Sequence, residues 1–172
     1  IVTVKPDPHW STGTRTLSLT VRTQYGLTLT KELSVKLFNG VCVSTTANGG
    51  DDSYDGTARN PYATIAAGIT GASTKYSGVV SSVCVSAGTY ETSTNIEMIE
   101  SVSLLGGYNK TWTSRNWDTN LTTISDERTV PCSTIAFGGS ITNATVLEGF
   151  TIYAASSEAS GSRTSVIEIK AA

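Results

Sequence analysis

The chain has 172 residues and a formal net charge of -2, and 15% of its residues are charged, well below the ~25% usual for soluble domains. That balance excludes the basic face of a nucleic-acid-binding protein, and no apolar run approaches the ~18 residues needed to cross a bilayer. The 28 Thr and 22 Ser, beside 16 Gly and one Met, favour strands and turns and point to an all-β protein.

The chain opens in strand-like "IVTV", without an initiator Met or the apolar core of a signal peptide, and reads as a mature protein or a fragment of a longer one. Leu17, Leu19 and Val21 alternate with polar residues, "TQYG" turns, and Leu27, Leu29, Leu33, Val35 and Leu37 alternate again. This pattern predicts a β-hairpin with one apolar face. With "IVTV" it resembles the last strands of an immunoglobulin-like module, although residues 1–39 have room for about three of the seven strands such a module needs.

Asn39-Gly40 marks a boundary, after which residues 40–172 form the second unit. "GVCVS" (residues 40–44) recurs as "SVCVS" (residues 82–86). If the two strands lie side by side, Cys42 and Cys84 come within ~4.8 Å, inside disulfide reach. The alternatives are a disulfide, in an oxidising compartment, or two small buried residues in register. Cys132 is then left over. Without CxxC spacing, and with the single His9 far away, a zinc site is not expected.

"GGDDSYDGTARNPYATIAAGIT" (residues 49–70) follows. Asp51, Ser53 and Asp55 alternate ahead of Gly56, as oxygen ligands do in the first half of a calcium loop, but Tyr62 stands where the bidentate Glu belongs. The same residues are ordinary turn formers through local hydrogen bonds, and with no base or nucleophile nearby any calcium here would be structural. Asn60 fits a helix N-cap and Pro61 the first helical position, with Ile65 and Ile69 on one side of a short helix that Gly68 weakens.

From Val79 onward the chain is a series of short apolar strands broken by Gly, Asn and Ser. Taking Val83, Ser103, Thr123, Leu147 and Val166 as reference points, the spacing is about twenty to twenty-four residues, a period that suggests a solenoid. Short strands without helices between them fit a parallel β-helix, and a sandwich of antiparallel strands is the runner-up.

In order and spacing, "CVSTTANGGDDSYDGTARNPYATIAAGI", "VCVSAGTYET", "SVSLLGGYNKTWTSRNWDTNLTTIS" and "VLEGFTIY" resemble the opening of secreted bacterial pectin-lyase-like proteins over residues 41–153. The resemblance implies an all-β, right-handed parallel β-helix with a short N-terminal capping helix, and an extracellular or cell-surface home. It does not imply an activity, because that superfamily includes polysaccharide lyases, hydrolases, adhesins and non-catalytic surface proteins. On this reading the sequence ends at "VIEIKAA" without a cap, so the native protein is expected to continue or to stack on a neighbour.

A lyase of this fold needs a Lys or Arg base with calcium held by several acids. Lys110, Arg115, Asp118, Asp126, Glu127, Arg128, Glu148 and Arg163 are scattered, and we read them as solvated surface charges. Tyr108, Trp112 and Trp117 either stack on sugar rings or pack their loop down. His9 stands apart, which rules out a Ser/His/Asp triad. Three N-glycosylation sequons, at Asn109, Asn120 and Asn143, are expected by chance in so Thr-rich a chain. The expectation is therefore a non-catalytic surface module for adhesion, fibre formation or scaffolding. It would need no cofactor beyond structural calcium, and would associate with itself or continue as the same polypeptide. The alternative is a carbohydrate-binding or lyase-type module acting on a polysaccharide.

Overall fold

A computed structural model of the chain describes residues 13–37, 39–130, 132–154 and 165–169. "IVTV", His9 and Arg163 lie outside the described residues. The chain divides into two compact units, Ile1–Asn39 and Gly40–Ala172, and the division falls at the Asn-Gly boundary of the sequence.

In the first unit β1 (Gly13–Arg22) and β2 (Thr28–Leu37) form an antiparallel hairpin. Thr23 accepts from Gly26 N at 3.0 Å and donates to Leu27 O at 2.9 Å. Gly26 has φ 81°, a left-handed turn conformation that glycine adopts without steric cost. Val21 and Leu29 are register partners and both are exposed.

In the second unit the strands are β3 (Gly40–Val43), β4 (Ser81–Ser86), β5 (Gly88–Thr92), β6 (Ile96–Met98), β7 (Val102–Tyr108), β8 (Thr122–Asp126), β9 (Ser133–Phe137), β10 (Leu147–Glu148), β11 (Thr151–Tyr153) and β12 (Ser165–Ile169). One helix, α1 (Ile65–Lys75), lies between β3 and β4. From β4 onward the strands are dealt in rotation to three parallel sheets, ordered β10-β7-β4-β3, β11-β8-β5 and β12-β9-β6.

The core is apolar and mostly β-branched, as strand faces require. Val41, Val43, Val83, Val85, Leu104, Ile124 and Ile135 are fully buried, joined by Ile65 and Ile69 of α1. Ile65, Gly68, Ile69 and Ala72 form the buried face of α1, the i, i+3, i+4, i+7 stripe of an amphipathic helix. Gly68, which propensity marks as a weakness, is what allows the helix to sit this close to the strands. A Cβ there would come within 2.4 Å of Val43 Cγ2 and 2.8 Å of Val83 Cγ1.

Two expectations are corrected here. The fold is not one continuous all-β right-handed parallel β-helix but a mixed arrangement, in which a helix packs into the core and the parallel strands belong to three separate short sheets. The five reference positions are not equivalent: Val83, Ser103 and Leu147 lie in the first sheet, Thr123 in the second and Val166 in the third. Register partners are unevenly spaced as well, Val83 with Leu104 but Leu104 with Leu147 at about twice the interval. The apparent period joined positions on different sheets, so it is not the interval between register partners within one sheet.

The second correction concerns the helix start. Its N-cap is Thr64, whose side chain accepts from Ala67 N, and not Asn60. The Asn-Pro segment serves a different purpose. Tyr62 bridges to Val43, donating to Cys42 O at 3.0 Å and accepting from Ser44 N at 2.9 Å, while Gly56 O accepts from Cys42 N at 2.8 Å. Residues 56–62 thus cover the outer edge of β3, which would otherwise present unpaired backbone groups.

Candidate functional site

The edges on the other side of the sheets are different. β10, β11 and β12 are the outermost strands of their three sheets, and among the described residues none has a further strand on its outer edge. Each continues a buried column. Leu147 is in register with Leu104, Ile152 with Ile124 and Ile167 with Ile135. The inner member of each pair is 0% exposed, whereas Ile167 is 43% exposed. Val166, Ile169, Tyr153 and Val146 are also exposed. This layer combines unpaired strand edges with apolar side chains, the combination that templates strand addition.

A second feature is built on the loop between β7 and β8. The backbone turns back at Asn109, whose Oδ1 accepts from Thr113 N at 3.0 Å and Ser114 N at 3.3 Å. Tyr108 then forms an antiparallel bridge with Arg115. The structure brings together the three aromatics singled out in the sequence. Tyr108 and Trp112 lie 6.2 Å apart between ring centroids, and the Arg115 guanidinium lies over both Tyr108, at 5.8 Å, and Trp117, at 5.6 Å. Trp112 Nε1 donates to Ala58 O at 3.1 Å, anchoring that ring to the opening loop, while Trp117 is 52% exposed. Arg115 Nε donates to Gly106 O at 2.8 Å, and its Nη2 faces Glu148 Oε1 at 3.4 Å.

In the opening loop, each acidic side chain is occupied by local donors. Asp51 Oδ1 accepts from Ser53 N at 2.8 Å and Ser53 Oγ at 2.7 Å, and Asp55 Oδ1 from Thr57 N at 3.2 Å and Thr57 Oγ1 at 2.9 Å. Backbone donors first, then hydroxyls, hold both carboxyls below their usual range. Ser53 therefore points its hydroxyl at Asp51 rather than into a shared cage with Asp55. Asp52, which the alternating pattern passes over, ties the loop to α1 by accepting from Ala63 N, Thr64 N and Thr64 Oγ1 at 2.8 to 2.9 Å. Among the described residues no group of three or more His, Cys, Asp or Glu side chains converges as a metal site.

Cys42 and Cys84 are register partners and both are buried free thiols, while Cys132 is a free thiol of intermediate exposure. Directly opposed residues on parallel strands sit about 4.8 Å apart, inside the Cα range a disulfide accepts, yet the structure holds both as free thiols. Burial pushes the Cys42 thiol up to about 12 and Cys84 to about 11. Beside them lies a buried hydroxyl network that sequence reading missed. Ser86 Oγ bonds Ser44 Oγ and Tyr90 Oη, each at 3.1 Å, and Tyr90 donates to Ser86 O at 3.0 Å.

Sequence reading also missed a buried ion pair. Asp126 and Arg128, read as solvated charges, have side chains 0% and 15% exposed. Asp126 accepts from Arg128 N, Nε and Nη2 and from Thr134 Oγ1, and Arg128 reaches on to Asn95 Oδ1 and Ser133 O. The arrangement binds the β8–β9 corner to the turn before β6. It is structural, since its donors and acceptors are spent on one another. A cleft of about 680 Å³ opens between residues 45–47, the start of α1 and β5, lined by hydroxyls and a single carboxylate, Glu91.

The chain matches no family model, no curated protein and no solved structure. The family resemblance of residues 41–153 therefore rests on its motifs alone. No helix among the described residues is long and apolar enough to cross a membrane.

Proposed function

We propose that this chain is a non-catalytic, extracellular or surface-displayed module for adhesion, fibre formation or scaffolding, and that it assembles by adding strands to the open layer of β10, β11 and β12. The observation that carries this reading is the exposure of Ile167, 43%, against the complete burial of its register partner Ile135. A further layer would bury Ile167, Ile152 and Leu147, at roughly 1.5–3 kcal/mol for each side chain fully removed from water, and would pair three free edges at once. The occupant is a second copy of the chain or further strands of the same polypeptide.

The non-catalytic part is supported by where the ionisable groups are spent. Asp51, Asp52, Asp55 and Glu100 accept hydrogen bonds within their own loops or from a neighbouring one. Asp126 is locked to Arg128, and Cys42 and Cys84 are kept protonated by burial, which leaves them inert. Low charge and abundant Thr and Ser support the extracellular setting. Electron microscopy of the purified chain tests the assembly: fibres or stacked particles are expected. A lyase assay on pectate-type and alginate-type polymers, with and without calcium, tests the other half. Unsaturated product absorbing in the ultraviolet would overturn the non-catalytic reading.

A further inference from the structure

The assembly reading leaves the aromatic loop unused, and its geometry has a different use. Trp117 is a large apolar ring held half in solvent, and the loop that carries it is fixed by its own polar residues. Asn116 N donates to Gly107 O at 2.7 Å, Asn116 Oδ1 accepts from Asp118 N at 2.9 Å, and Asn120 Nδ2 donates to Gly107 O at 3.1 Å. Arg115 is fixed as well: Nε is bonded to Gly106 O, and the guanidinium lies between Tyr108 and Trp117. An aromatic ring kept exposed on so constrained a loop is ready to receive a ligand with little ordering cost. Next to it stands Glu148, 45% exposed, touching Arg115 only at an ion-pair distance of 3.4 Å.

We propose that Trp117 and Glu148 form a binding site for a neutral pyranose-containing oligosaccharide. The apolar C–H face of a pyranose matches the indole ring, and a carboxylate accepts two vicinal sugar hydroxyls at once. Arg115 acts as a positioning residue: it lies over Trp117 and sets the direction of Glu148. The ligand class follows from the charges. The Arg115 cation is already balanced by Glu148, and Lys110 and Asp118 on the same loop also cancel. A uronate or sulfated sugar would meet the Glu148 carboxylate on a patch whose formal charges already sum to zero.

The test is titration by tryptophan fluorescence and calorimetry with neutral oligosaccharides (gluco-, galacto-, manno- and xylo-series) and with oligogalacturonate and oligoalginate, at low and high salt. Binding of at least one neutral series, unchanged by salt, is expected. Trp117→Ala should weaken it by roughly tenfold or more, as loss of an aromatic anchor does, and Trp117→Phe should restore much of it. Glu148→Gln should weaken it without altering the circular dichroism spectrum. Arg115→Lys should weaken affinity and also shift the fluorescence maximum of the free protein, because the cation over the indole is displaced. The proposal is overturned by absence of binding to every neutral series, by salt-sensitive preference for the acidic oligomers, or by full affinity in Trp117→Ala. Glu148 belongs to β10 of the open layer, but Trp117 lies outside it and the assembly edge is tested at Ile167 and Ile169 of β12, so the Trp117 variants separate failure of this site from failure of the assembly reading.

Discussion

Ile167 lies in register with Ile135 on the neighbouring strand, yet Ile167 is 43% exposed and Ile135 is fully buried. The same column is thus sealed on one side and open on the other. The contrast with β3 is instructive. There residues 56–62 pair with the outer edge, and α1 lies over Val43 and Val83. The outer edge of β3 is covered, whereas among the described residues β10, β11 and β12 have no further strand on theirs.

The Asp126–Arg128 pair makes stability depend on acid. Hydrogen bonds from Arg128 hold the Asp126 carboxyl below its ordinary value despite burial. Its contribution is therefore fully present above the unfolded value of about 4 and is lost as the pH falls through the lower folded value. Asp126→Asn leaves the Arg128 cation poorly compensated and should cost about 3 kcal/mol at neutral pH. Denaturant titrations across the acid range should show the gap between variant and parent narrowing below about pH 4.

Tyr90→Phe should destabilise by about 1–3 kcal/mol, because it strips the buried carbonyl of Ser86 of a donor and the Ser86 hydroxyl of a partner while leaving the packing intact. Ser86→Ala made in the same background should cost less than it does alone, since the two changes remove members of one network. A double-mutant cycle by chemical denaturation reads both effects.

In the native protein a thiol reagent should label Cys132 and leave Cys42 and Cys84 untouched until the chain unfolds. Because the folded values of Cys42 and Cys84 are raised to about 12 and about 11, the stability linked to their protonated state is present below the unfolded value of about 8.5 and is lost as the pH rises from there towards the folded values. Cys42→Ala should flatten that alkaline limb.

Asp52→Ala should lower stability by about 1 kcal/mol, as loss of a helix cap does, since it frees Ala63 N, Thr64 N and the Thr64 hydroxyl. Asp51→Ala should cost less, because its donors lie within its own turn. Chelation should leave the melting temperature of the parent unchanged. A rise on adding calcium, abolished by Asp51→Ala and Asp55→Ala together, would instead assign the loop to an ion.

The strands and the turn residues were legible in sequence because strand-length apolar runs between Gly, Asn and Ser carry a local signal. The same holds for the in-register cysteines, since "VCVS" repeats, and for Ile65 and Ile69 on the buried face of α1. What could not be read is what depends on distant pairing. The even rhythm from Val83 to Val166 hid that these residues belong to three different sheets. Asn60-Pro61 gave a strong local helix signal, but Tyr62 was taken by Val43 at the sheet edge, and the helix waited for Thr64. Asp126 and Arg128, two residues apart in a polar stretch, look like surface charges until Thr134 and Ser133 fold over them. In the aromatic loop the sequence named the rings and Arg115 but read Arg115 as a solvated charge, whereas its guanidinium lies over Tyr108 and Trp117.

The open layer is the central claim, and light scattering across a concentration series of the purified chain, beside Ile167→Lys and Ile169→Lys, tests it most directly. Both side chains are exposed, so the variants should fold as the parent does and give the same circular dichroism. The account predicts that the parent grows in mass with concentration and that the lysine variants remain monomeric, since charge on an open strand edge blocks pairing. A parent that stays a monomer at every concentration, indistinguishable from the variants, would contradict it.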